Sequence, residues 1–75
     1  MQRSAHEIVR NNLGQKVREL RLSLHMSQED LADEAETRRA LISQIERGEA
    51  NPTLDSIVKI AKALGVEMSE LFGSR

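Results

Sequence analysis

The chain contains no cysteine, tryptophan or tyrosine, and Phe72 is its only aromatic residue. The absence of cysteine excludes a disulfide framework and a thiolate metal site, which fits a reducing cytoplasm. Single-stranded bases stack on aromatic side chains, so the scarcity of these residues argues against single-strand binding. No apolar run approaches the roughly 20 residues of a membrane span. We therefore expect a cytoplasmic protein with no membrane partner.

Groups suited to catalysis or metal binding are also scarce. His6 and His25 have no cysteine or acidic partner at the spacing of metal ligands, and no nucleophile has a base placed beside it. The sequence therefore predicts neither an enzyme nor a cofactor or metal site. With 75 residues, the chain corresponds to one small domain, near the lower size limit for an unassisted hydrophobic core.

Charge is segregated along the chain, although the net charge is only −1. Residues 26–37 contain five acids and no base, whereas residues 38–48 contain three arginines and one glutamate. DNA-binding proteins are usually basic, so the net charge alone does not favour a nucleic acid partner. The basic 38–48 segment does favour one, while the acidic 26–37 segment is typical of a solvated helix face.

Apolar residues recur at helical spacing along the whole chain, and this periodicity predicts an all-α domain. In the first helix the apolar stripe consists of Val9, Leu13, Val17, Leu20 and Leu24. Ser4 and Glu7 have the spacing of a capping box, which favours an early start of this helix, while Asn12 offers a later one. Residues 1–12 are therefore either a separate N-terminal extension or a continuous part of the first helix, and residues 13–73 form the domain proper.

The central stretch from Ser27 to Gly48 predicts two short helices joined by a tight turn. Ser27 and Asp30 have capping-box spacing at the start of the first of these two helices. Gly48 follows the second of them, where a C-terminal glycine belongs. In the second helix of this pair, which is the third of the chain, Ile42 and Ile45 define the buried face. The side chains that lie off this face are Arg38, Arg39, Ala40, Ser43, Gln44 and Arg47. Arginine and glutamine can each make two hydrogen bonds to a base edge, so this surface suits the DNA major groove.

Two further helices follow the only loop of any length, residues 49–53. Thr53 is expected to cap the fourth helix and Gly65 to end it. The predicted buried side of this helix consists of Leu54, Ile57, Val58, Ala61 and Leu64. A short fifth helix carries Met68, Leu71 and Phe72, which either close the core or form a contact surface for a second copy of the chain.

Four segments, in their order and spacing, closely resemble the Cro/cI-like (Xre) helix-turn-helix family: LGQKVREL, SQEDLA, ISQIERG and NPTLDSIVKIAKALGVEMSELF. The resemblance covers residues 13–72 and implies a compact five-helix, lambda-repressor-like DNA-binding domain. It also implies a symmetric homodimer on a double-stranded DNA operator, with the third helix in the major groove. The implied function is that of a transcriptional repressor, activator or both. The short chain favours, within this family, the controller proteins of restriction-modification systems.

Carried over position by position, the resemblance implies roles for individual side chains. The base-reading positions are Arg39, Ala40 and Gln44, and the positions that contact the DNA backbone are Gln28, Arg38, Ser43 and Asn51. The structural ion pair of the family corresponds to Arg21 and Glu46, and the dimer interface to Met68, Leu71 and Phe72. Glu29 and Asp33, four residues apart on the second helix, match an acidic patch through which family members contact RNA polymerase. RNA polymerase is therefore a further candidate partner.

The sequence departs from the family pattern in three respects. Glu36 replaces the usual glycine of the turn and would need a left-handed backbone, at a cost of about 1–2 kcal/mol. Arg38 replaces the usual Ser or Thr cap of the third helix, which leaves Thr37 as an alternative cap. Glu49 and Ala50 replace residues that are often basic, which predicts few phosphate contacts. This last departure and the net negative charge keep a second hypothesis open, a protein-interaction module such as an antitoxin or adaptor.

Overall fold

Five α-helices make up the part of the chain that the computed structural model describes, residues 4–73. Their bounds are α1 Ala5–Ser23, α2 Gln28–Glu34, α3 Arg39–Glu46, α4 Leu54–Leu64 and α5 Met68–Phe72. No residue of this range lies in a β-strand, so the predicted all-α fold is confirmed. The first helix begins at the earlier of the two predicted starts. Of the predicted N-terminal extension, residues 1–3 lie outside the described residues.

Short side-chain hydrogen bonds explain where the helices begin. The hydroxyl of Ser4 accepts from the backbone N–H of Glu7 at 3.1 Å, and the Glu7 carboxylate accepts from the N–H of Ser4 at 3.3 Å. Ser27 and Asp30 form the same reciprocal pair at α2, with both distances 2.9 Å. Thr53 caps α4 through a bond of 3.1 Å. Each cap satisfies donors that a helix N-terminus otherwise leaves unpaired, so the predicted starts are confirmed.

The helices pack so that α3 lies between α1 and α2. α1 also contacts α5, and α4 contacts both α2 and α5. The buried apolar side chains come from all five helices and the loop after α3: Leu13, Val17, Leu31, Ala32, Ala35, Ile42, Ile45, Ala50, Ile57, Ile60, Ala61, Leu64 and Leu71. Helix α3 is thus held by two neighbours and by its own buried isoleucines.

Two residues predicted to lie on the buried side of α4 are exposed instead. Leu54 has 69% and Val58 38% of its surface exposed, while Ile60, absent from the prediction, is 1% exposed. Ile57 and Ile60 are three residues apart and share the core face, whereas Val58 lies about 100° around the helix from Ile57. Leu54 lies in the first turn, beyond the edge of the core. The prediction for these positions was wrong because an apolar run does not show which of its members the neighbouring helices cover.

The predicted apolar stripe of α1 is likewise buried only along its middle. Val9 and Leu24 are both about half-exposed. Val9 lies in the part of α1 that precedes the core residue Leu13, and Leu24 lies after the last helical residue, Ser23. The core-facing stretch of α1 therefore extends only from Leu13 to Arg21.

Gly14 lies where α1 crosses the end of α3. A methyl group at this position would overlap the carbonyl oxygens of Ile45 and Glu46. In an isolated helix, glycine at this position would only cost helix propensity relative to alanine. In the structure its missing side chain allows the two helix backbones to approach closely, which sets the position of α3.

Candidate DNA-binding surface

The turn between α2 and α3 adopts the conformation that the family pattern requires, although Glu36 occupies the position of the usual glycine. Its φ angle is +55°, in the left-handed region. The N–H of Glu36 donates to the carbonyl of Asp33 at 3.1 Å, and the N–H of Thr37 donates to the carbonyl of Ala32 at 2.9 Å. These bonds hold the strained residue in place. Arg38, rather than Thr37, precedes the first helical residue, and its side chain makes no capping hydrogen bond.

The outer face of α3 is polar and accessible. Ile42 and Ile45 are buried, and Leu41 is half-buried against the core. The predicted base-reading residues Arg39, Ala40 and Gln44 are all exposed, as is Arg38. Because two buried isoleucines fix the rotation of a helix of only eight residues, its outer side chains have a defined direction.

Arg21 and Glu46 form a buried, two-point ion pair between α1 and α3. The Nε and Nη2 atoms of Arg21 lie 2.7 and 3.0 Å from the two carboxylate oxygens of Glu46. Their side chains are only 8% and 3% exposed. The remaining Nη1 atom of Arg21 donates to the carbonyl of Met26 at 2.7 Å, just before α2. One guanidinium therefore joins α1, α3 and the segment that leads into α2.

Gln28, predicted to contact a phosphate, also touches this pair. Its Nε2 atom donates to an oxygen of Glu46 at 3.2 Å. An amide nitrogen carries two hydrogens, so one donor remains for a second acceptor. Arg18, which the sequence did not single out, lies 4.0 Å from the same carboxylate and is mostly exposed.

The pKa of Glu46 lies below its ordinary value of 4.5. Burial alone would raise this pKa, but hydrogen bonds from Arg21 and Gln28 and the nearby arginine charges outweigh that effect. The hydrogen bond to Glu46 in turn raises the pKa of Arg21 above its usual value. Both shifts favour the charged form of the pair.

These shifts predict how stability depends on pH. Because the folded-state pKa of Glu46 is depressed, its contribution to the free energy of unfolding is complete above pH 4.5 and is lost as the pH falls through the folded-state value. Urea unfolding of wild type and Glu46→Gln across this acidic range should give curves that converge as the pH falls. Parallel curves would contradict the prediction. Comparing the two chains cancels the titration of the other carboxylates.

A second, exposed cluster lies at the end of α3. The Nη1 atom of Arg47 donates to the Ser43 hydroxyl at 2.6 Å, and its Nε atom donates to a carboxylate oxygen of Glu49 at 3.1 Å. Ser43 was predicted to contact the DNA backbone, while the part played by Arg47 was missed. The four-residue spacing of Ser43 and Arg47 on one helix face was the available signal. Glu49 therefore neutralises part of the positive charge at the end of α3.

The remaining predicted residues lie apart from α3's outer face. Asn51 is exposed in the loop between α3 and α4, and Glu29 and Asp33 are exposed on α2. The three predicted dimer residues do not form one surface: Leu71 is 1% exposed inside the core, Met68 is half-buried and Phe72 is exposed. Leu71, three residues after Met68, closes the core and must therefore be removed from the predicted interface.

No helix within residues 4–73 is long and apolar enough to cross a membrane. The same residues contain no group of three or more histidine, cysteine or acidic side chains placed to hold a metal ion.

Two short helices joined by a tight turn, the second anchored inside and polar outside, define a helix-turn-helix domain. The sequence profile of the helix-turn-helix (HTH_3) family matches residues 17–71. The chain therefore belongs to the helix-turn-helix (HTH_3) family of DNA-binding transcriptional regulators, and the resemblance to Cro/cI-like proteins is confirmed.

Individual relatives agree with this placement. Control protein C.BamHI of Bacillus amyloliquefaciens is 55% identical over 64 residues, which are 84% of this chain and 79% of that protein. The immunity repressor protein of Bacillus phage phi105 is 33% identical over 61 residues, 81% of this chain and 42% of that protein. The crystal structure of the restriction-modification controller protein C.AhdI from Aeromonas hydrophila superposes with a TM-score of 0.81 at 41% identity. That match covers 84% of this chain and 96% of C.AhdI.

Proposed function

We propose that this regulator binds a two-fold operator as a homodimer, with α3 of each copy in a major groove. The observation that carries the proposal is the outward position of Arg39, Ala40 and Gln44 on a helix anchored by two buried isoleucines. Half-sites would be about one helical turn, 34–36 Å, apart.

The three exposed side chains match different base edges. Arg39 can donate two hydrogen bonds to the O6 and N7 acceptors of guanine, and Gln44 can bond both edge groups of adenine. Ala40 has a methyl group that suits contact with thymine. Together they would discriminate among base pairs within one half-site.

The backbone contacts would come from four residues around α3: Gln28, Arg38, Ser43 and Asn51. Gln28 retains one amide hydrogen beyond its bond to Glu46, and Ser43 retains its hydroxyl hydrogen because it accepts from Arg47. Arg38 supplies an exposed positive charge at the start of α3. Such contacts set the register of a protein on DNA but carry no sequence information.

The dimer would form through α4 and α5. These two packed helices expose Leu54, Val58 and Phe72, and large apolar side chains on a surface favour contact with a partner. The proposed dimer surface therefore contains Leu54 and Val58 in place of Leu71, which is buried. A palindromic consensus among selected DNA sequences, together with a two-copy mass in sedimentation, would support the dimer.

The acidic residues Glu29 and Asp33 on α2 would contact RNA polymerase. Both are exposed and form no ion pair within residues 4–73. The test is in vitro transcription from the selected operator with Glu29→Gln and Asp33→Asn. Loss of activation with unchanged DNA binding supports the contact, and unchanged activation rejects it.

The similarity to control proteins further leads us to propose a controller role in a restriction-modification system. Selection of bound duplexes from a random pool tests the DNA-binding proposal most directly. Affinity for the selected site should fall steeply as salt rises, because each neutralised phosphate releases counterions. A chain that selects no sequence and shows no salt-dependent binding would instead be an interaction module, such as an antitoxin or adaptor.

Arg39→Ala tests base reading. We expect a loss of roughly 1–3 kcal/mol in binding free energy at the selected operator and a relaxed preference at one base pair. Gln28→Ala is the contrast, because loss of a phosphate contact should weaken binding to all sequences alike. Mobility shifts with the operator and its single-base variants measure both effects. A uniform loss for Arg39→Ala would remove this residue from the base readers.

A further inference from the structure

A surface cleft of about 190 Å³ lies between the first turns of α1 and the loop after α3. It is lined by His6, Val9, Arg10 and Asn51. Resting on the proposed function, we propose that this cleft binds a phosphate of the DNA backbone, with Arg10 as the charged ligand and His6 and Asn51 as hydrogen-bond donors.

The helical face that forms the cleft is continuous with the core face of α1. Arg10 precedes Leu13 by three residues, and Leu13 precedes Val17 by four, so all three point the same way. Where the helix packs against the body of the domain this face is apolar. Where it extends past the body the same face carries Arg10 and His6. If this face of α1 only packed against the loop after α3, a charged side chain such as Arg10 would not be needed there.

The cleft lies beside the C-terminal end of α3. A methyl group at Gly48, just after α3, would overlap the side chain of Asn11 on α1. Three residues further on, Asn51 faces the next turn of α1 towards its N-terminus. Because α3 is about 12 Å long and the major groove is about 12 Å wide, the segment after α3 comes within reach of phosphates on the groove wall.

The charge at the cleft is not neutralised by its neighbours. Arg10 is half-buried, and no carboxylate of residues 4–73 forms an ion pair with it. Of the nearby acids, Glu7 accepts from the backbone of Ser4, and Glu49 is paired with Arg47. A phosphate is complementary to this arrangement because it brings negative charge and several acceptors to a site that has a guanidinium and can offer further donors from His6 and Asn51.

The matched substitutions are Arg10→Gln and Lys62→Gln. Each removes one positive charge, but Lys62 is exposed near the C-terminal end of α4 and does not line the cleft. Binding to a random-sequence duplex of about two helical turns is measured between about 50 and 200 mM salt. Arg10→Gln should lower the slope of log affinity against log salt by about 0.9 and weaken binding about five- to tenfold at 0.1 M salt. Lys62→Gln should change neither, and Arg10→Lys should retain the wild-type slope.

The possible results are distinguishable. Absence of any duplex binding by wild type would reject the proposed function itself. Steep salt dependence in wild type, with Arg10→Gln equal to Lys62→Gln, would reject only the phosphate cleft. Weakened self-association of Arg10→Gln in sedimentation would also reject it, since the cleft would then bind a carboxylate of a second copy. If Arg10→Gln lowers the melting temperature, Asn51→Asp against Asn51→Ser repeats the test within the loop. Serine keeps a hydrogen-bond donor and should weaken binding only slightly, whereas the negative charge of aspartate should weaken it strongly, and equal losses would reject the phosphate cleft.

Discussion

Replacement of Glu46 by alanine is expected to lower the free energy of unfolding by roughly 3–5 kcal/mol, because it leaves the buried guanidinium of Arg21 without its carboxylate. This loss is a large part of the 5–15 kcal/mol that holds a typical domain folded. Urea denaturation followed by circular dichroism measures it. The control is Asp55→Ala, since the ion pair of Asp55 with Lys59 spans 3.7 Å at the surface and its loss should cost less than about 1 kcal/mol.

A double substitution separates the cost of an unpaired charge from the value of the pair. Arg21→Met combined with Glu46→Leu removes both charges and keeps apolar volume, so it should recover most of the stability lost in Glu46→Ala. If the double variant is as unstable as the single one, the ion pair itself, rather than the stranded arginine, provides the stabilisation.

Gly14→Ala is expected to destabilise the domain by roughly 1–3 kcal/mol, because the new methyl group overlaps two backbone carbonyls of α3. Helix propensity alone predicts the opposite, a gain of about 1 kcal/mol. The matched control is Asn12→Ala, two residues earlier on the exposed side of the same helix, which should be neutral or slightly stabilising. Thermal unfolding of the two variants measures the difference. Equal stability of both would mean that α1 and α3 are not held at this close approach.

The Gly14→Ala variant also tests the position of α3. If α1 and α3 must separate to admit the methyl group, α3 also moves relative to α2. Operator affinity of Gly14→Ala should then fall at a temperature where the variant is still folded. Asn12→Ala, with α3 undisturbed, should bind like wild type.

Much of the fold was predictable because the signals are local. The caps at Ser4, Ser27 and Thr53 need only residues three apart, and Ile42 and Ile45 alone orient α3. The caps and the orientation of α3 depend on chain neighbours, which a sequence shows directly. The left-handed Glu36 was anticipated through the family resemblance, because it occupies the position of the usual glycine.

The features that were missed depend on which helices and loops contact each other in the fold, and the sequence does not show this. Gly14 reads as a defect until α3 is known to cross it. Leu71 was predicted to contact a partner, but the core encloses it. Leu54 was predicted to be buried, but the first turn of α4 lies beyond the edge of the core. The cleft that Arg10 lines together with Asn51, about 40 residues away, has no local signal either.

The guanidinium of Arg21, whose three hydrogen bonds go to Glu46 and Met26, also has a thermodynamic consequence. The ordering of α1, α3 and the approach to α2 is completed when the chain folds, so docking onto a duplex leaves little conformational entropy to lose. We therefore expect the heat-capacity change on operator binding to match the apolar area buried at the interface, with no added contribution from coupled folding.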